Sequence, residues 1–535
     1  MSQSHIPRRY SGAWQKESLR PLLKRSEKFI HIVELVTSRG VIADKDGQRV
    51  LSLARRLCEH PEVHALSITD NPGGNAMINA DTLGTDLLSR GQEVIIHISC
   101  KDWNRNALQG RAWQLASEGF DNVLCLSGDY PTSGYNGVAS GVFDIDSIGL
   151  LRMFSELNQG LRIADSKRAR RLQKTHFLLG AATNNHKRHE REVMPQYFKL
   201  VQKVKNGAHF IISQIGYDAR KQDELLRYMR AHKLDVPAIA NVFALSAGVA
   251  RYFHAGHIPG VEVTDRLLAL CEQQAQSPDK GKAFFIELAA QQCAIARGLG
   301  YRGVYLGGHL QYGDYEKIMA LSQSYAPDDW RDFARKIDFA YPDEFYLFER
   351  DSDTGLSSDT ISASYLESKK PGEIKKLRRE IPTIYKLSRI AHDRVFAPYS
   401  TGFRLGKKVT RALEDHPSAQ RVLHVVEQAA KVPLFDCRDC GDCSLPDIAY
   451  LCPESQCVKN QRNGPCGGTR QGLCEVGEKE CIWSRAYERL KAYGQEENML
   501  KGPPVIKDGS LSGTSAWLNT FAGRDHHGRD QETST

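Results

Sequence analysis

The sequence predicts a (β/α)8 barrel of the TIM type, followed by a helical connector and a small cysteine-rich metal-binding module. Three observations lead there. Eight short β-rich apolar runs alternate with helical patterns from about residue 29 onward, the signature of a parallel sheet or barrel. No G-x-G-x-x-G follows the first run, as a doubly wound dinucleotide fold would show. Eight of the 13 cysteines lie between Cys437 and Cys481.

Taken in order, residues 1–28 form an N-terminal arm with basic positions Arg8, Arg9, Arg20, Lys24 and Arg25. It lacks the apolar core of a signal peptide. The barrel is assigned to 29–335, with strands at 29–36, 65–69, 94–99, 122–127, 177–182, 210–214, 238–243 and 303–306. Helices between them show apolar spacing of three and four: Val50, Leu53 and Leu57, then Tyr197, Leu200, Val201 and Val204, the latter stopped by Gly207. Residues 336–435 read as a polar helical connector whose Lys369, Lys370, Lys375, Lys376, Arg378 and Arg379 form a solvated face. The cysteine module spans 436–500 and includes an amphipathic helix with Trp483, Tyr487 and Leu490. The tail, 501–535, is expected to be extended and partly mobile, with His526 and His527 in water.

The composition, 41% hydrophobic and 25% charged, is that of a globular chain with one large domain and smaller additions. A net charge of +8 spread over 72 basic and 64 acidic residues is too diffuse for a nucleic-acid-binding stripe. No apolar run is long enough to span a bilayer. A cytoplasmic location and a reduced state for the thiols are therefore expected.

In such a barrel the chemistry gathers where strands end and βα loops begin. The strand ends offer Glu34, Thr69, Asp70, His97, Gly128, Asp129, Asn184, Asn185, Gln214 and His309, a polar ring above an apolar barrel. The order of motifs is specific: Glu34 in the first strand, Ser67-Ile68-Thr69 in the second, His97-Ile98-Ser99-Cys100 in the third, Leu126-Ser127-Gly128-Asp129 at the fourth, and Asn206 through Gln214 at the sixth. Over residues 27–315 this resembles the methylenetetrahydrofolate reductase family. The resemblance implies a flavin across the barrel mouth, FAD in preference to FMN, and an oxidoreductase acting on a CH–NH bond. The reaction interconverts 5,10-methylenetetrahydrofolate and 5-methyltetrahydrofolate in one-carbon metabolism and methionine synthesis, with the flavin carrying the redox step.

By this resemblance Glu34 is the general acid that protonates folate N10, and Asp129 lies near the flavin N1 edge and the pterin. Thr69, His97 and Gly128 contact the cofactor, Lys203 lies near its phosphate, and Gln214 touches pterin and nicotinamide. Each has a plainer role to weigh: a paired barrel carboxylate for Glu34, a turn residue for Asp129, a satisfied interior imidazole for His97. The chain departs from the family where Ser127 replaces a common arginine, where Thr183-Asn184-Asn185 replaces Tyr-Pro-Glu, and where small residues near Ala247 and Gly248 replace an aromatic. Those positions bind cofactor or stack nicotinamide, so the flavin's identity and direct use of NADH or NADPH are left open.

The cysteines run Cys437-x2-Cys440-x2-Cys443-x8-Cys452-Pro, then Cys457, Cys466, Cys474 and Cys481. The C-x2-C-x2-C run with a later Cys-Pro favours one or two [4Fe-4S] clusters over zinc. The segment also resembles the cysteine-rich C-terminal module found with these reductases, which implies a one-electron relay and a redox partner protein. A homo-oligomer is expected, with folate as substrate and no nucleic acid or membrane partner. Two other readings remain: a pterin- or corrinoid-dependent methyltransferase barrel, and a zinc-ribbon binding or assembly protein.

Overall fold

A computed structural model describes residues 16–25, 27–165 and 168–533; Arg8 and Arg9 of the basic arm lie outside the described residues. Eight parallel strands close into a barrel: β1 Ile30–Leu35, β2 Val63–Ile68, β3 Glu93–Ser99, β4 Asn122–Leu126, β5 Leu178–Thr183, β6 Phe210–Ser213, β7 Ala238–Ala244 and β8 Gly303–Gly308. All eight fall on the runs read from sequence. Closure is made by β1 against β8, with Ile30 beside Gly303 and Val33 beside Leu306.

Alternation along the strands separates two apolar sets. Ile30, Ile32, Ala65, Ile95, Leu124, Leu178, Phe210, Ile212, Ile239 and Tyr305 fill the barrel interior. The intervening residues, such as Val33, Leu66 and Ile96, pack against the surrounding helices. Helix Glu190–Lys205 shows why the sequence folds so: Tyr197, Leu200 and Val201 are buried, acids open its first turn, and Lys203 and Lys205 sit in the last. Gly207 follows at φ +105°, which a glycine takes without strain.

The described part of the N-terminal arm includes helix Leu19–Lys24, whose Leu19, Leu22 and Leu23 plug the lower end of the barrel. The Leu19 N–H donates to Glu93 Oε2 at 3.1 Å, and Asn122 Nδ2 donates to the same oxygen at 3.0 Å. With that end closed, the interior opens only at the strands' C-terminal side.

Two expectations need correction. The first part of the connector is not helical: strands Phe348–Arg350 and Ser357–Ile361 form a hairpin, and Leu347, Phe348 and Tyr365 join the barrel's outer core. The anchor is Glu224, which accepts from the Leu347 N–H at 2.6 Å and from the Tyr197 hydroxyl at 2.8 Å. Nor is the tail extended. It forms helices Ala516–Ala522 and His526–Thr533, and Asn519 Nδ2 donates to the Gly441 carbonyl at 2.9 Å inside the cysteine module. His526 is only 4% exposed, so it does not sit in water. Among the described residues, no helix is long and apolar enough to cross a membrane.

Candidate active site

The inward positions near the open end of β1, β2, β3 and β8 bring four polar side chains together. Ser67 Oγ lies 2.9 Å from His97 Nε2, and the Tyr305 hydroxyl lies 3.3 Å from the same nitrogen. Tyr305 also hydrogen-bonds Glu34. Burial holds His97 neutral, pushing it down to about 3, so it serves as a fixed dipole rather than a charge. Burial also pushes the Glu34 carboxyl up to about 7, against the opposing hydrogen bond from Tyr305. A carboxyl in that range keeps a proton near neutrality and can still give it up, which is what a general acid needs.

The loop after β4 supplies the next predicted residues. Gly128 has φ +84°, and a Cβ there would lie 2.9 Å from Ser99 Cβ, so the chain passes too close to β3 for any side chain. Asp129 Oδ2 accepts from the Gly73 N–H at 2.8 Å, the loop-bracing role its position allowed; its half-exposed carboxylate still borders the mouth. Thr69 is buried and its N–H donates to the Leu35 carbonyl at 3.0 Å. Gln214 turns back, its Oε1 accepting from the Ile215 N–H at 2.9 Å. Lys203 is buried, with its ammonium on the Ala182 carbonyl, and burial lowers it to about 7. No hydrogen bond among the described residues joins Lys203 to the Glu34 group.

The cysteines sort into two quartets. Cys437, Cys440, Cys443 and Cys452 line one small cavity of about 20 Å³; Cys457, Cys466, Cys474 and Cys481 line another of about 20 Å³. Among the described residues no three thiol sulfurs lie mutually within 4.8 Å. Backbone N–H groups of Gln461, Gly468 and Val476 each lie 3.5 Å from a sulfur of the second quartet. Lys431 Nζ stands 3.6 Å from Cys443 Sγ beside the first.

The second quartet is seated on the barrel mouth. Lys459, two residues past Cys457, donates to the Gly128 carbonyl at 2.8 Å and is ion-paired with buried Glu475. Gln461 Oε1 accepts from Ser127 Oγ and from Lys199 Nζ, each at 3.0 Å. Asn184 Nδ2 donates to the Gly467 carbonyl at 2.8 Å, and a Cβ at Gly260 would collide with that carbonyl.

Comparison with known proteins now bears on this arrangement. A family model described as methylenetetrahydrofolate reductase matches residues 34–306. The chain belongs to the methylenetetrahydrofolate reductase family. A second model, the methylene-tetrahydrofolate reductase C terminal, matches residues 416–508, so both halves carry the signature of one enzyme system. No curated relative matches the chain. Among solved structures, an uncharacterised Clostridium thermocellum protein that binds two copies of 5-methyl-5,6,7,8-tetrahydrofolic acid is 13% identical, with TM-score 0.39 over 56% of this chain and 95% of that one. A 2,3-dimethylmalate lyase of the PEP mutase/isocitrate lyase superfamily is 12% identical, with TM-score 0.33 over 58% and 86%.

Within the methylenetetrahydrofolate reductase frame, the departures read from sequence acquire a physical reason. Ser127 and Asn184 stand where the family commonly has arginine and proline, and both hold the cysteine module. Short polar side chains let the module settle on β4 and β5. Sequence reasoning missed Tyr305, although its inward place in a Gly-Val-Tyr-Leu-Gly-Gly strand was a readable signal. It also missed Lys459 and Gln461, which no periodicity marks.

Proposed function

We propose that this protein is a flavin-dependent reductase that interconverts 5,10-methylenetetrahydrofolate and 5-methyltetrahydrofolate, exchanging electrons through two [4Fe-4S] clusters in its own cysteine module. The observation that carries the reading is the seating of the second quartet on the β4 and β5 loops of the same barrel whose β1 carries Glu34, a carboxyl that burial pushes up to about 7. A flavin in the mouth would supply hydride chemistry toward folate and one-electron chemistry toward the clusters.

The residues present fit such a group. Asn241 falls on the same inward face of β7 as Ile239, and its buried Oδ1 has no hydrogen-bond partner in the described structure. Buried polar atoms without partners are costly, so that group suits a polar ligand. Gly128 keeps the β4 loop bare and Asp129 offers a carboxylate at that edge, with Thr69 and His97 on the neighbouring β2 and β3. Glu34 holds the proton for folate N10, and Tyr305 fixes the carboxyl's orientation. His97, neutral, braces Tyr305 without competing for that proton.

The two quartets suit cubane clusters in their sulfur ligands: the second has N–H groups directed at its sulfurs, and the first keeps the buried Lys431 alongside. The loops around Gly467 and Arg470 cover the region after β7: Arg470 donates to the His254 carbonyl at 2.7 Å. That cover stands near the place where the family stacks a nicotinamide, which favours the clusters over NADH or NADPH as the electron route.

The test is a titration of anaerobically purified protein with 5-methyltetrahydrofolate. Flavin bleaching, followed by reduction of an iron–sulfur absorption with about eight iron atoms per chain, is expected for two four-iron clusters. Zinc as the only metal would sink the relay, and colourless protein would sink the flavin assignment.

A further inference from the structure

The C-terminal helix brings a different donor set to the cysteine module. His526 Nε2 lies 3.1 Å from Asp447 Oδ2, and His527 Nε2 lies 3.2 Å from Asp447 Oδ1. Among the described residues this is the one trio of His, Cys, Asp or Glu side chains whose donor atoms all lie within 4.8 Å of one another. Neighbouring ligands of a tetrahedral ion with bonds of about 2.0–2.1 Å stand roughly 3.3 Å apart, close to the separations here.

The second observation is the other side of the His526 ring. Nδ1 lies 2.5 Å from Asp442 Oδ1, and that carboxylate is fixed by the Asp508 N–H at 2.9 Å and Arg529 Nη2 at 2.8 Å. Both nitrogens of a side chain 4% exposed therefore face carboxylates. A neutral imidazole has one N–H; given to Asp442, it leaves the Nε2 lone pair aimed at Asp447. Only a second proton or a cation between them relieves that opposition. A carboxylate holding Nδ1 while Nε2 is presented outward is the usual outer partner of a metal-bound histidine. The trio also borders a cavity of about 260 Å³, lined in part by Asn463, Trp483 and Lys501, with room for further ligands such as water.

We propose that Asp447, His526 and His527 form a mononuclear site for a divalent transition ion of the zinc type, separate from both cysteine quartets. Two imidazoles and one carboxylate suit such an ion and not calcium or magnesium, which prefer oxygen alone. Its two histidines lie beyond the span of the C-terminal family model, which ends at residue 508, while Asp447 lies within it. Its effect is mechanical: the ion ties the last helix to the segment that carries Asp447, between Cys443 and Cys452.

The experiment uses the full-length protein with its iron retained, treated with a mild chelator and then titrated with Co2+. One equivalent is expected to bind, with ligand-field absorption lacking sulfur-to-cobalt charge transfer, and Zn2+ should displace it. His527→Gln, at a half-exposed position the fold tolerates, and Asp447→Asn should each weaken binding at least tenfold with iron content unchanged. The proposal is overturned if wild type takes up no cobalt, leaving only an imidazolium clamp. Charge-transfer bands, or equal binding by wild type and His527→Gln, would overturn it too, by placing the ion elsewhere.

Discussion

The barrel and the cysteine module are held together by opposite means. Inside the barrel, layers of Ile, Leu and Phe alternate with outward residues that pack under helices, and the apolar area withdrawn from water explains the fold without any cofactor. The module's apolar cluster is small and built around Ile448, Leu451, Ile482, Trp483 and Ala486. Its remaining interior is ionic: Lys459 with Glu475, Arg462 with Glu454, Lys431 with Glu427, His526 with Asp442. Such pairs confer little net stability when complete and cost a great deal when broken. The module is therefore the part whose integrity leans more on its charges, and the barrel, with buried pairs such as Lys221 and Glu224 set around a large apolar core, the part that leans on them less.

The largest expected effect tests that difference directly. Lys459→Met leaves Glu475 buried without its cation and should destabilise the module by about 3–5 kcal/mol. Calorimetry should show the module's transition lowered and iron lost, with the barrel's transition in place. If both transitions fall together, the two regions are one cooperative unit and the contrast fails.

Next in size is Glu34→Gln, which keeps shape and some hydrogen bonding but cannot donate a carboxylic proton. Reaction of the reduced flavin with methylenetetrahydrofolate should slow by at least about 100-fold, while reduction through the module is unchanged. Equal slowing of both half-reactions would make Glu34 a structural group. The same carboxyl sets a pH dependence. Because burial raises Glu34 to about 7, the protonated fraction is complete below that pH and falls roughly tenfold per unit above it. The folate half-reaction, followed by stopped flow in the reducing direction, should decline with that slope from about pH 7, and the decline should vanish in Glu34→Gln.

The smallest effect is at the seam. Ser127→Ala removes one hydrogen bond to Gln461 and should cost about 0.5–1.5 kcal/mol. A shift confined to the module's melting transition would sharpen the comparison, and no shift would mean that the remaining contacts, among them Lys459 with Gly128 and Asn184 with Gly467, seat the module without Ser127.

What was legible in the sequence follows the same division. The barrel's strands could be placed because period-two burial is a local pattern, and Glu34, Thr69, His97, Gly128 and Asp129 could be ordered because strand ends in this fold converge. The hairpin Phe348–Arg350 with Ser357–Ile361 escaped because its short, polar second strand, Ser-Ser-Asp-Thr-Ile, carries little apolar alternation. The grouping of the cysteines into two quartets follows their order along the chain, yet spacing alone left one cluster and two equally open. The contact of Asp442 with His526 joins a cysteine loop to a tail of charged and small residues, and nothing local in either segment announces the other.

The plug beneath the barrel has a consequence for how the molecule is made. Leu19, Leu22 and Leu23 leave the ribosome before any strand, yet the socket that receives them is lined by residues from Ile30 through to Tyr305. Helix Leu19–Lys24 must wait for the eighth strand before its leucines are covered. Contacts so distant in sequence slow folding, so the nascent chain carries an exposed leucine cluster through the synthesis of the whole barrel, a natural handle for whatever keeps unfinished chains apart.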